Sequence, residues 1–198
     1  TEAIRVPKMP RIEKPELLCP AGDRERLETV IAYGADAVYL GLTQFTMRAA
    51  PGNFDIEGLA DAVKYSHEHG VKVYVTFNTL PHENELVSLY DSLEKAGRTG
   101  ADAFIITDLG VMAAAKRLCP QTEIHISTQF GLTNSGACTQ LFEMGAKRAV
   151  LARELSLEQI KQIRKNTPAE LELECFVHGA MCVSFSGRCL LSSYLTGR

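Results

Sequence analysis

The stretch Glu174-Cys-Phe-Val-His178-Gly-Ala-Met-Cys182-Val-Ser-Phe-Ser-Gly-Arg188-Cys189 sets a carboxylate, an imidazole and thiols at the end of an apolar run and in the loop after it. Cys175, Cys182 and Cys189 fall seven residues apart, and the last two sit among Gly and Ser, where a purely apolar role suits a thiol least. Glu174 and His178 are candidate acid/base groups, able to work directly or beside a metal. Cys175 alternates with Glu174 and Phe176 in a strand-like run and reads as a buried, inert thiol. Cys182 and Cys189 can ligate zinc or iron, but Zn²⁺ or a cubane cluster commonly wants four protein ligands. Either metal would recruit His178 or Cys175, or draw its remaining ligands from beyond Arg198.

These groups need a frame, and the sequence repeats one. A Gly closing a helix and then a β-branched or aromatic run recurs four times: Gly34-Ala-Asp-Ala-Val-Tyr-Leu, Gly70-Val-Lys-Val-Tyr-Val, Gly100-Ala-Asp-Ala-Phe-Ile-Ile and Gly145-Ala-Lys-Arg-Ala-Val-Leu. Between them lie apolar residues at helical spacing, such as Ile56, Leu59, Ala60 and Val63, and Leu155, Ile160 and Ile163 with Ser156 as N-cap. Further strands near Glu16–Cys19, Glu123–Ser127 and Leu171–Val177 bring the count to about seven. Alternating β and α units predict a parallel sheet and an α/β fold, a (β/α) TIM-like barrel that is incomplete in this chain. A doubly wound sheet is the rival, but Pro20-Ala-Gly22-Asp-Arg lacks the G-x-G-x-x-G turn that would support it. Residues 1–15, with Arg5, Lys8, Arg11 and Lys14 among prolines, read as an extended arm. Residues 16–198 form the barrel domain with its Cys-containing loop, and the missing eighth unit makes the chain read as the front of something longer.

In such a barrel the carboxyl ends of the strands carry the site. They offer Arg48, Asn78, Gln129, Arg153 and Glu154 as candidate substrate-binding residues, with Glu174 and His178 around the seventh strand. That convergence suits an anionic or hydrogen-bonding small ligand. Arg48 and Arg153 match the carboxylates of such a ligand bidentately, although Arg153 and Glu154 can equally pair with each other. Asp108 reads as a helix cap, His125 as a satisfied core histidine, and His67 and His69 as groups answering helix-end carbonyls. No H-E-x-x-H and no G-x-S-x-G occurs. Lys72 and Lys147 fall at strand beginnings, which argues against Schiff-base chemistry.

At 198 residues, 45% of them hydrophobic, the chain can bury about two-thirds to three-quarters of its unfolded surface as one domain. A net charge of -3 provides no overall field for holding phosphates. With no apolar run approaching about 18 residues and no leader, the expectation is a soluble, cytoplasmic protein without a membrane partner. Its six scattered cysteines are expected to be reduced or metal-bound.

The phrase Glu174-Cys-Phe-Val-His-Gly-Ala-Met-Cys182, continuing through Ser186-Gly-Arg-Cys189, resembles the signature of the collagenase-like peptidase family U32. So do Glu16-Leu-Leu-Cys-Pro-Ala-Gly-Asp, Gly34-Ala-Asp-Ala-Val-Tyr-Leu-Gly41, His69-Gly-Val-Lys-Val-Tyr-Val-Thr-Phe-Asn78, Ile124-His-Ile-Ser-Thr-Gln129 and Leu151-Ala-Arg-Glu-Leu155. The resemblance implies a barrel-like domain and oxygen-independent hydroxylation. Members modify a wobble uridine of tRNA using prephenate, a cytidine of ribosomal RNA, or the ubiquinone ring with a 4Fe-4S cluster. It implies Cys182 and Cys189 as two of four cluster ligands in the intact protein, with prephenate as the hydroxyl donor. Cys19 and Cys175 occupy positions where relatives often carry Ala. The leading expectation is therefore RNA hydroxylation, of tRNA wobble uridine first. The alternatives are a collagenase-like or metal-dependent peptidase using Glu174 and His178 on a peptide substrate, and a non-catalytic RNA-binding scaffold using the basic arm.

Overall fold

The computed structural model describes residues 14–46, 52–179, 182–187, 189, 191 and 194. Arg48 and the arm residues Arg5, Lys8 and Arg11 lie outside them. The described residues form seven strands and six helices in strict alternation. They run β1 (Leu18–Pro20), α1 (Arg24–Ala32), β2 (Ala37–Gly41), α2 (Ile56–Glu68), β3 (Lys72–Phe77), α3 (Leu86–Arg98), β4 (Ala103–Ile106), α4 (Leu109–Leu118), β5 (Glu123–Ile126), α5 (Ser135–Glu143), β6 (Arg148–Val150), α6 (Leu157–Lys165) and β7 (Glu172–Glu174). All neighbouring strands are parallel and lie in chain order. A doubly wound sheet must reverse its strand order, and this one never does. Because each βαβ crossover is right-handed, unreversed order puts all the helices on one face and curls the sheet into the TIM-like form expected.

Alternation along each strand divides the interior. One face sends Val38, Leu40, Val73, Val75, Phe104 and Ile106 outward against Leu27, Leu59, Leu89, Leu93 and Met112 of the helices, forming the main core. The other sends Ala37, Tyr74, Ala103 and Ile105 inward, with Leu18 and Tyr39 packed on them. Side-chain caps start the helices. Asp23, Asp55, Asp108 and Asn134 accept the backbone N–H three residues on at 2.7–2.9 Å, and Ser156 forms a capping box with Gln159; each cap is worth about 1 kcal/mol. Asp108 is thus the cap its sequence suggested. The repeat's glycines end the helices, Gly34 at φ 91° and Gly145 at φ 107°, a left-handed conformation open to Gly at no steric cost.

Two strands differ from expectation. β1 begins at Leu18, so Glu16 precedes it, and β7 stops at Glu174 rather than Val177 because its register with β6 runs only from Arg148↔Glu172 to Val150↔Glu174. Beyond it Val177 turns to solvent and Phe176 is partly exposed. Among the described residues no backbone pairing joins β7 to β1. Side chains cross that seam instead. Arg148, 7% exposed, donates to Glu172 at 2.6 and 2.8 Å, to Glu16 at 2.7 Å and to Glu174 at 3.3 Å. The Tyr74 hydroxyl donates to Glu16 at 2.8 Å. His125 is wholly buried in the same layer, edge-on to Tyr74 at 4.6 Å. It is not the satisfied histidine expected, since Nε2 reaches Glu123 only at 3.5 Å and Nδ1 has no partner among the described residues. Burial pushes its pKa down, so it stays neutral. His69 does meet the carbonyl of Tyr65, whereas His67 bonds Asp102 rather than a helix end.

Candidate functional site at the strand ends

At the carboxyl ends of the strands the curled sheet opens into a cavity of about 200 Å³. Its apolar wall includes Leu18, Pro20, Ile105, Val150 and Phe176, and its polar groups include Tyr39, Thr76, Asn78, Ser127, Gln129 and Glu174. No Lys or Arg is among the described lining residues. β2, β3 and β7 and the segments that follow β3 and β5 supply the polar groups, which converge because the strands run parallel with their carboxyl ends at one end of the sheet. Described residues after β2 fold back on the strand beside the cavity, which Thr46 and Asn53 line: Leu42 bridges Phe54, the Asn53 amide donates to the Leu42 carbonyl at 2.9 Å, and Thr46 and Thr76 share a hydrogen bond at 2.8 Å. Gly41 permits that fold, because a Cβ there would lie 2.7–3.0 Å from the Thr46 side chain.

Glu174 ends β7 with its side chain 20% exposed. Burial pushes its carboxyl above the ordinary glutamate value, and Arg148 offsets this only in part. Glu16, facing the same guanidinium, ends on the other side. Burial would raise it, but hydrogen bonds from Arg148 and Tyr74 outweigh that and hold it low. One cation shared among the carboxylates therefore leaves pocket-facing Glu174 more easily protonated than Glu16.

The structure brings Asn78, Gln129 and Glu174 together around the cavity and places His178, Arg153 and Glu154 elsewhere. His178 is exposed beyond β7 and lines no part of the pocket, so it is not paired with Glu174 among the described residues. Arg153 and Glu154 hold the cysteine loop: Arg153 Nη2 donates to the Ser184 carbonyl at 3.2 Å, and Glu154 accepts from Ser186 N–H at 2.8 Å and Ser186 Oγ at 2.5 Å. Arg48 lies outside the described residues. Cys182 is exposed and Cys189 half-buried, and neither is in a disulfide. Cys175 packs against the helix-side core with its pKa pushed up by burial, in keeping with an inert thiol.

Two thiols on one loop are chemically suited to half of a four-thiolate set. No third His, Cys, Asp or Glu joins them among the described residues, so these residues do not complete a cluster site. The sequence reading missed Arg148 and Glu16. The available signal was an arginine at an inward position of the buried run Arg148-Ala-Val-Leu, which requires acidic partners.

Residues 22–198 match Peptidase family U32. The chain is 48% identical over 186 residues to an uncharacterised protease of Methanocaldococcus jannaschii, covering 92% of this chain and 45% of that protein. It is 39% identical to tRNA hydroxylation protein P1 of Bacillus subtilis, covering 94% and 44%. It is 38% identical to the 23S rRNA 5-hydroxycytidine C2501 synthase of Escherichia coli, covering 92% and 27%. The chain thus spans less than half the length of these relatives. The solved structure of a U32 peptidase superposes with a TM-score of 0.66 over 83% of this chain and 72% of that one, at 17% identity, a likeness of fold. With a family match that takes in the strand ends and the cysteine loop, the chain belongs to Peptidase family U32.

Proposed function

We propose that this chain forms the barrel of an RNA-hydroxylating enzyme and that its pocket receives the base to be modified. The observation that carries this reading is the pocket itself. A cavity of about 200 Å³ suits one ring-sized group rather than a drug-sized ligand, and Asn78 and Gln129 are the amide side chains that can read the hydrogen-bonding edge of a base taken out of its stack. Phe176 and Tyr39 supply apolar and aromatic surface beside them. Relatives named for tRNA and rRNA hydroxylation support the same substrate class, and tRNA uridine is the first to test. Glu174 would hold and deliver a proton at the base. Arg153 being engaged with Ser184, Arg48 is the remaining guanidinium among the candidates for a dicarboxylate donor such as prephenate.

The experiment is complementation with the full-length protein in a bacterial strain deleted for its own tRNA hydroxylation proteins. Hydroxylated uridine, read by mass spectrometry of tRNA nucleosides, should return with the wild type and fall by roughly 5- to 150-fold with Gln129→Ala, since a lost base-edge contact costs ~1–3 kcal/mol. No hydroxylated pyrimidine in either tRNA or rRNA would sink the reading.

Cys182 and Cys189 would hold a 4Fe-4S cluster together with two ligands from outside the described residues, and when bound that cluster would supply redox chemistry. Iron and acid-labile sulfide in full-length protein purified without oxygen should be largely lost in Cys182→Ser. Unchanged iron in that variant would overturn the ligand assignment.

A further inference from the structure

Ser186 lies midway along the loop between the two thiols, wholly buried, with φ 35° and ψ 50°. A non-glycine residue in this left-handed region costs of order 1–3 kcal/mol and persists only where its surroundings hold it there. What holds it is a single carboxylate. Glu154, in the loop after β6, accepts both the backbone N–H and the hydroxyl of Ser186, and the preceding residue, Arg153, donates to Ser184. The short 3₁₀ turn Phe185–Gly187 carrying Ser186 packs on another, Thr128–Phe130, which presents Gln129 to the pocket. Thr128 is in turn tied to the Leu151 carbonyl at the end of β6.

We infer that Glu154 is a positioning residue, a latch that seats the Cys182–Cys189 loop against the rim of the pocket. Sequence spacing offered Glu154 as a substrate ligand, but both its oxygens are occupied by Ser186. The latch sets where the two thiols stand relative to Gln129, and it does so whatever substrate the pocket takes. Hydrogen bonds to a charged acceptor are the stronger kind, and two on one residue fix its orientation as well as its place.

The test is thiol labelling of the reduced, metal-free, full-length protein with a maleimide, read cysteine by cysteine by peptide mass mapping. Glu154→Ala should raise the labelling rate of half-buried Cys189 by roughly tenfold, the equivalent of ~1.4 kcal/mol of lost anchoring, with the buried Cys119 and Cys138 unchanged. Glu154→Gln, whose amide oxygen can still accept the Ser186 N–H, should return most of the protection. Ser186→Ala, which keeps the backbone bond, should lie between wild type and Glu154→Ala. Cys189 labelling that stays at the wild-type rate in Glu154→Ala would overturn the latch. Equal acceleration at Cys119 and Cys138 would overturn it too, by showing a general loss of fold.

Discussion

Arg148→Met is expected to destabilise the full-length protein by about 3–5 kcal/mol at neutral pH, the cost of removing one partner from a buried ionic network. Urea midpoints would measure it. The guanidinium is nearly inaccessible and answers Glu172 and Glu174 of the adjoining β7 and, across the β7–β1 seam, Glu16, so its loss leaves like charges facing one another where no backbone pairing is described. The defect should depend on pH. Glu16 has its folded pKa held below the ordinary 4.5, after hydrogen bonds from Arg148 and Tyr74 outweigh burial. A lowered folded pKa gives stability that is present above the unfolded value and lost as pH falls through the folded one. Arg148→Met forfeits that contribution, so the gap between wild type and variant should be widest near neutrality and narrow as pH drops below about 4.5. Arg148→Lys keeps the charge but not the planar fork, and should fall between. A loss below about 1 kcal/mol for Arg148→Met, the range of an exposed pair, would mean that the network does not hold the seam.

The fold was legible because its signals are local and repeated. Gly34, Gly70, Gly100 and Gly145 each follow a helix and precede a buried strand, and periodicity marks the helices between them. The pocket residues Asn78, Gln129 and Glu174 were legible for the same reason, since a strand's carboxyl end can be counted along the chain once the strand is found. Partners distant in sequence were not. Arg148 and Glu16 stand 132 residues apart, and only the curl of the sheet brings them together. Arg153 and Glu154 have the residue types of a ligand clamp. Their direction, toward Ser184 and Ser186 rather than the cavity, depends on how two irregular turns pack, which no periodicity encodes. β7 was read too long because its apolar run continues to Val177, whereas a strand ends where its neighbour's backbone ends.

Glu174→Gln should separate function from stability in the opposite sense to Arg148→Met. In the proposed reaction Glu174 carries the proton, and removing a general acid or base typically costs 10²–10⁴-fold in turnover. Glutamine has nearly the same shape, and its amide oxygen can still accept from Arg148, so the pocket should stay assembled. Stability should not fall. Burial pushes the folded pKa of Glu174 above its unfolded value, Arg148 offsetting this only in part. A raised folded pKa means that the folded state binds the proton more tightly. Its stabilising contribution is therefore full in acid, below the unfolded value, and disappears as pH rises through the folded one. Above the folded value the wild type retains none of it and carries a desolvated carboxylate, which glutamine removes. The variant should unfold at an equal or higher urea concentration than wild type at pH 7, with the advantage shrinking or reversing below about pH 4.5. Hydroxylated nucleoside yield down about 100-fold or more with an undiminished midpoint would assign Glu174 to the chemistry. A yield within about tenfold of wild type would remove it from proton transfer and leave it as one of three carboxylates that answer Arg148.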